Sequence, residues 1–150
     1  RSNEDSFGRT ALHVAAYSGR VDHMHHLVEE YNADVDAKDN DGFTPLHCAV
    51  MCYQVKAVRY LVLEAKADHK VKGFHNRTPL HLAAIHGCVN TMRYLGTNVE
   101  ARDSDGYTPL HLAAENARLD SMRYIMDTFK IDIEAKNNQG NTPLHCAAWK

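Results

Sequence analysis

Eleven histidines and four cysteines give this chain the raw material for a metal site or for nucleophilic catalysis. His23, His25 and His26 form the densest group. His23 and His26 stand at i and i+3, so a helix would put both on one face, where two imidazoles could hold zinc weakly. No cysteine or carboxylate at ligand spacing completes a tetrahedral set, and a solvated helix surface is the better reading. His13, His47, His81, His111 and His145 recur at near-constant spacing. Stacked units would hold them roughly 10 Å apart, too far for one ion with bonds of ~2 Å. No metal is expected.

The nucleophile candidates fare no better. Cys48 and Cys146 each follow a recurring histidine and read as small buried hydrophobes. Cys52, at i+4 from Cys48, falls on the exposed side of the same helix and is a candidate reactive thiol. Asp5, Asp39 and Asp103 recur beside glycine turns, where turn hydrogen bonding suits them better than acid–base work. The chain contains no phosphate-binding glycine loop, nucleophile elbow or zinc-protease pair. Asn76-Arg77-Thr78 spells a glycosylation sequon, which matters only in a secreted chain, and its threonine is already required by the repeat described next. No catalytic residue, cofactor or small-molecule substrate is expected, and the segment does not read as an enzyme.

What must position these residues is a repeat. Thr-Pro-Leu-His begins at Thr44, Thr78, Thr108 and Thr142, and Thr-Ala-Leu-His begins at Thr10, giving intervals of 34, 34, 30 and 34 residues. Each unit opens with a turn at Gly8, Gly42, Gly106 or Gly140; Asn76 stands in for glycine in the third unit, and both types tolerate positive φ. The threonine caps a first helix and proline sits in its first turn, where its missing N–H costs nothing. Small residues such as Ala83 and Ala84 follow. A second helix then shows apolar spacing at Met24, Leu27 and Val28; at Val58, Leu61 and Val62; and at Met122, Ile125 and Met126. An extended stretch with an acidic residue closes the unit, as at Asp34, Asp68 and Asp132.

With these residues the chain resembles the ankyrin-repeat family over nearly its whole length, from about Asp5 to Lys150. The resemblance implies an all-α repeat solenoid of β-hairpin/loop-helix-turn-helix units. It forms a single domain over 1–150, with units at about 5–40, 41–74, 75–104 and 105–138 and a partial fifth at 139–150. It also implies that Thr10 and His13, Thr44 and His47, Thr78 and His81, Thr108 and His111, and Thr142 and His145 are structural pairs, each histidine bonding its threonine and linking adjacent hairpins. Hairpin tips and first helices would form the concave recognition surface.

Two departures stand out. Leu27 to Asp34, Leu61 to Asp68 and Ile125 to Asp132 each span seven residues, whereas Leu95 to Asn98 spans three. The lost residues amount to about one helical turn. The third unit should therefore lack the end of its second helix, with Gly96-Thr97 closing the gap and a notch on the convex side. Tolerated loop variation, a partner-binding notch and a hinge or fragment-specific deletion all remain open readings. The fifth unit stops at Lys150 within its first helix, leaving Ala147, Ala148 and Trp149 uncovered. With the missing initial Met and the polar start from Arg1, this reads as an excised fragment or a processed product.

A hydrophobic content of 44% with 24% charged residues is a globular balance. A net charge of −2 gives no general pull toward nucleic acid or anionic membrane, and no apolar run could span a bilayer. Free thiols suit a reducing compartment, so a cytoplasmic or nuclear location is expected.

Recognition should reside in residues that do not repeat. The family's contact positions fall on Lys38, Asn40, Phe43, Met51, Cys52 and Tyr53 in the second unit, and on Lys72, Phe74, His75, Arg77, Ile85 and His86 in the third. They fall on Arg102, Ser104, Tyr107, Glu115 and Asn116 in the fourth, and on Arg9, Tyr17 and Ser18 in the first. Phe43, Tyr53, Phe74 and Tyr107 are aromatic anchors. Lys38, Lys72, Arg77, Arg102 and Lys136 line successive tips, with Asp41 and Asp105 interleaved, and would suit a target with acidic and apolar residues. The expected function is a protein–protein interaction module, an adaptor or scaffold. The alternative is an inhibitory or regulatory segment of a larger enzyme, channel or toxin.

Overall fold

The computed structural model describes residues 4–148. Its helices come in pairs, a short one and a second antiparallel to it: α1 (Ala11–Ser18) with α2 (Val21–Tyr31), α3 (Pro45–Met51) with α4 (Val55–Arg59), α5 (Pro79–His86) with α6 (Val89–Met92), and α7 (Pro109–Glu115) with α8 (Leu119–Thr128). A last helix, α9 (Pro143–Ala148), follows. Helix α4 continues through a wider π-helical turn, Tyr60–Glu64.

Each of the first four short helices starts at its threonine because two orphan donors are satisfied there at once. Thr10, Thr44, Thr78 and Thr108 have extended backbones, and each hydroxyl accepts the N–H of the histidine three residues on. That histidine's Nδ1 accepts the threonine's own N–H at 3.0–3.2 Å. The pattern is a capping box with imidazole in the place usually taken by Glu or Gln, and such a cap is worth about 1 kcal/mol. Thr142 and His145 repeat it. The short helices end through left-handed residues, namely Gly19, Tyr53, Gly87 and Ala117.

Alanine sets the curvature. Ala15, Ala16, Ala49, Ala83, Ala84, Ala113 and Ala114 are buried between neighbouring first helices. These helices stack in the order α1, α3, α5, α7, α9 with more extensive contact than the second helices make with one another. Closer spacing in one layer bends the stack toward that layer, so the first-helix side is concave. Leu12, Met24, Leu46, Leu61, Leu80, Met92, Leu95 and Ile125 fill the space between the layers. Each contributes about 1.5–3 kcal/mol of apolar burial.

The shortened third unit takes the expected form. Helix α6 ends at Met92, and Gly96 turns the chain at a φ of 83°. An open groove of about 350 Å³ lies between α6 and α8, lined by Val89, Arg93, Asp120, Arg123, Tyr124, Asp127 and Thr128. In α9, Leu144 is 78% exposed. Ala147 is half-buried and Ala148 exposed, while Trp149 lies outside the described residues.

Of the expected β-hairpin/loop form, the arms between units take the loop: among the described residues no strand forms. Each arm is a tight turn closed by two backbone bonds, such as Asp39 N–H to Phe43 O (2.9 Å) with Gly42 N–H to Asp39 O (3.0 Å), or Gly73 N–H to Arg77 O (2.9 Å) with Asn76 N–H to Gly73 O (2.8 Å). That span is too short for a ladder.

Candidate functional site

The first four of the recurring histidines are fastened at both ring nitrogens. Nδ1 faces a backbone N–H, so it must accept. Nε2 faces a carbonyl on the next arm, so it must donate: His13 to Phe43 O (2.8 Å), His47 to Arg77 O (3.0 Å), His81 to Tyr107 O (2.9 Å) and His111 to Asn141 O (3.0 Å). This fixes the neutral tautomer and ties each unit to the following arm. Burial pushes His47 down to about 4 and also lowers His81 and His111. These rings are structural.

The other candidates for chemistry fall apart in space. His23, His25 and His26 are exposed. His26 bonds Glu30 at 2.9 Å, and His25 leans on Tyr60. Among the described residues no group of three or more His, Cys, Asp or Glu side chains could hold a metal. Cys52, expected to be exposed and reactive, is half-buried at the end of α3, and burial raises its thiol. It lacks the electropositive, open setting that thiolate chemistry needs. Burial pushes Cys48 up to about 12.

Four of the five arms share one brace. Asp5, Asp39, Asp103 and Asn137 each turn Oδ1 back to accept two N–H groups of their own turn. At Asp103, Oδ2 also takes Nε of Arg77 at 3.2 Å, and the carboxylate is wholly buried. The third arm has Gly73 at this position. A Cβ there would stand 3.1 Å from Gly42 O, 3.2 Å from His47 Nε2 and 3.2 Å from the Phe43 ring, so the packed Phe43 leaves no room for a bracing carboxylate. The third turn instead closes with His75 and Asn76 both left-handed, at φ 58° and 57°. Asn76 thereby fills the role expected of it, and His75 joins it unexpectedly.

The expected contact residues divide into two sets. Several are committed to bonds within their own unit or to a neighbouring arm. Arg77 pairs with Asp103. Arg102 donates to Gly106 O (2.9 Å) and Lys136 O (2.6 Å). Lys38 donates to Lys72 O, Asn40 to Ser6 O, and Asn116 to Leu112 O. Arg9 pairs with Asp5. Tyr107 bonds Glu115 and packs edge-on to His111, and burial, followed by the Glu115 charge, pushes its hydroxyl up to about 12. Ser104 receives Asn138 through its carbonyl and gives its N–H to His75 O. Ser18 and Tyr17 sit exposed at the end of α1.

The second set is largely open to solvent and forms two aromatic groups. Phe74 is 51% exposed, 6.2 Å from the Phe43 ring and 4.1 Å from that of His75. Tyr53 is 56% exposed; its ring meets His86 edge-on at 5.4 Å, with the hydroxyl 3.3 Å from Nδ1. Burial, then the Arg118 charge, lowers His86. Met51 and Ile85 are half-buried and pack against the core. Lys72 points to solvent beside them.

The family model for ankyrin repeats (3 copies) matches residues 1–73, 68–137 and 96–150. The chain belongs to the ankyrin-repeat family. Ankyrin repeats are a non-catalytic fold that generally serves protein–protein interaction. No curated protein matches the chain. No helix among the described residues is long and apolar enough to cross a membrane.

Sequence reasoning missed two features of this ankyrin-repeat surface. One is the Arg77–Asp103 pair, which no spacing rule reveals because the partners belong to different units. The other is Lys70, which stands where Asp36, Glu100 and Glu134 stand in the other units. Aligning the arms on their turns would have exposed it.

Proposed function

We propose that this ankyrin-repeat chain is an adaptor that holds a partner protein on its concave side, against the arms and first-helix ends of the second and third units. One observation carries the reading. Phe43, Phe74 and His75 form one aromatic cluster at the second and third arms, Tyr53 and His86 form another at the first-helix ends, and Phe74 and Tyr53 are each more than half exposed. Exposed aromatics grouped in this way are what interfaces use as anchors. The four cysteines are unpaired, which supports a reducing cytosolic or nuclear setting.

The test is affinity capture from native extract with a Phe74→Ala/Tyr53→Ala variant as control. Tyr107 is a poor choice, because its ring and hydroxyl are committed to His111 and Glu115. Capture should be lost while the melting temperature stays close to that of the parent. Undiminished capture would remove the concave surface from consideration.

A further inference from the structure

Aligned on their turns, four positions of the third arm depart from its neighbours in one direction. Lys70 replaces the carboxylate of Asp36, Glu100 and Glu134. Gly73 replaces Asp39 and Asp103, Phe74 replaces Asn40 and Ser104, and His75 replaces Asp41 and Asp105. Residues 36–43 hold three carboxylates and one lysine, and residues 100–107 hold three carboxylates and one arginine. Residues 70–77 hold two lysines and an arginine and no carboxylate. Arg77 is neutralised by Asp103, but Lys70 and Lys72 are exposed, and their ammonium groups have no ion-pair partner among the described residues. The Phe74 ring crowns the same arm.

The third arm is also held less firmly to the arm before it. Asn40, Ser104 and Asn138 each give a backbone N–H to the preceding arm, at 2.9–3.0 Å, and Phe74 has no such bond among the described residues. The side-chain bonds of Asn40 to Ser6 O and Asn138 to Ser104 O cannot be copied by a phenyl ring.

We propose that the third arm is the docking point for an acidic protein segment that sets carboxylates against Lys70 and Lys72 and an apolar side chain against Phe74. This rests on the protein-binding reading above. Charge complementarity favours a peptide over other anions. Exposed Asp41 and Asp105 stand on the arms to either side, about one repeat spacing of ~10 Å away and near the ~8 Å screening length at physiological salt. A nucleic-acid strand or an anionic bilayer would extend over all three arms and meet repulsion on both flanks. A peptide crossing the arms can carry its acidic residues at the centre and neutral or basic ones beyond.

A random peptide library displayed on phage and selected against the full chain provides the probe. The enriched sequences, made as synthetic peptides, are titrated against the parent, Lys70→Glu/Lys72→Glu and Phe74→Ala. The expected consensus is acidic with an aromatic or branched apolar residue. Reversing both lysines should weaken binding roughly tenfold or more with melting unchanged, since neither side chain is buried. Phe74→Ala should weaken it independently. A neutral or basic consensus, or an acidic one indifferent to both variants, overturns the assignment and leaves the broader protein-binding reading standing. So does tight binding of single-stranded DNA or phosphatidylserine vesicles that the lysine reversals abolish. Failure to enrich any sequence overturns the broader reading as well.

Discussion

At the fourth arm a buried carboxylate, Asp103, closes the turn with two backbone bonds and reaches back to Arg77. At the third arm no side chain closes the turn, and two left-handed residues do the work through the backbone alone. Both arms hang from a neutral imidazole of the preceding unit, His47 for the third and His81 for the fourth. The difference shows how a repeat protein can vary one unit without losing the stack. The histidine link and the helix caps are kept, while the arm's own brace is exchanged for exposed cations and an aromatic ring. The fourth arm is the more heavily braced of the two, and the proposal above places recognition in the third.

The largest effect should come from the fourth arm. Asp103→Ala leaves Arg77 and two turn N–H groups without their acceptor and should cost about 3 kcal/mol in urea unfolding. A loss below about 1 kcal/mol would mean that the brace is dispensable and the two arms are equivalent.

Acid should weaken both arms together. The folded state keeps His47, His81 and His111 neutral, with His47 near 4, whereas the unfolded chain takes up protons near ~6.5. The unfolded state therefore binds more protons in that interval. Stability is complete above about 6.5 and falls as the pH drops toward 4. A melting temperature unchanged between neutral pH and pH ~5 would contradict the double fastening of these rings.

The third arm should show smaller effects. Gly73→Ala presses a methyl group into the Phe43 ring and Gly42 O and should cost about 1 kcal/mol. A neutral outcome would show that the missing carboxylate is not dictated by space. His75→Gly should stabilise by several tenths of a kcal/mol, because glycine adopts the left-handed region without penalty. Hydrogen exchange and thermal melting together would detect both changes.

The sequence disclosed the fold through residues that recur: five threonine–histidine pairs, the helix-initiating prolines and the alanine run required by close first helices. It also located the truncated helix of the third unit, because helical spacing turns a shortened interval into a missing turn. The candidate surface was only partly legible. Arg77, Arg102 and Lys38 look like a solvent-facing cationic row on the page of letters, yet each is drawn into bonds with a neighbouring arm that one-dimensional spacing does not show. Tyr107 and Phe74 look alike in sequence. Their environments separate them, one bonded to Glu115 and the other open at the apex of its arm. Cys52 misled as well, since a residue that reads as exposed on an isolated helix is half-buried in the stack.

The most direct test exchanges one arm's chemistry for the other's. Lys70→Asp, Phe74→Asn and His75→Asp together give the third arm the side chains that Asp36, Asn40 and Asp41 provide in the second. Isothermal titration of a library-selected peptide should then detect no binding, while the melting temperature stays at the parent value. Parent affinity in the exchanged chain would show that recognition lies elsewhere on the solenoid.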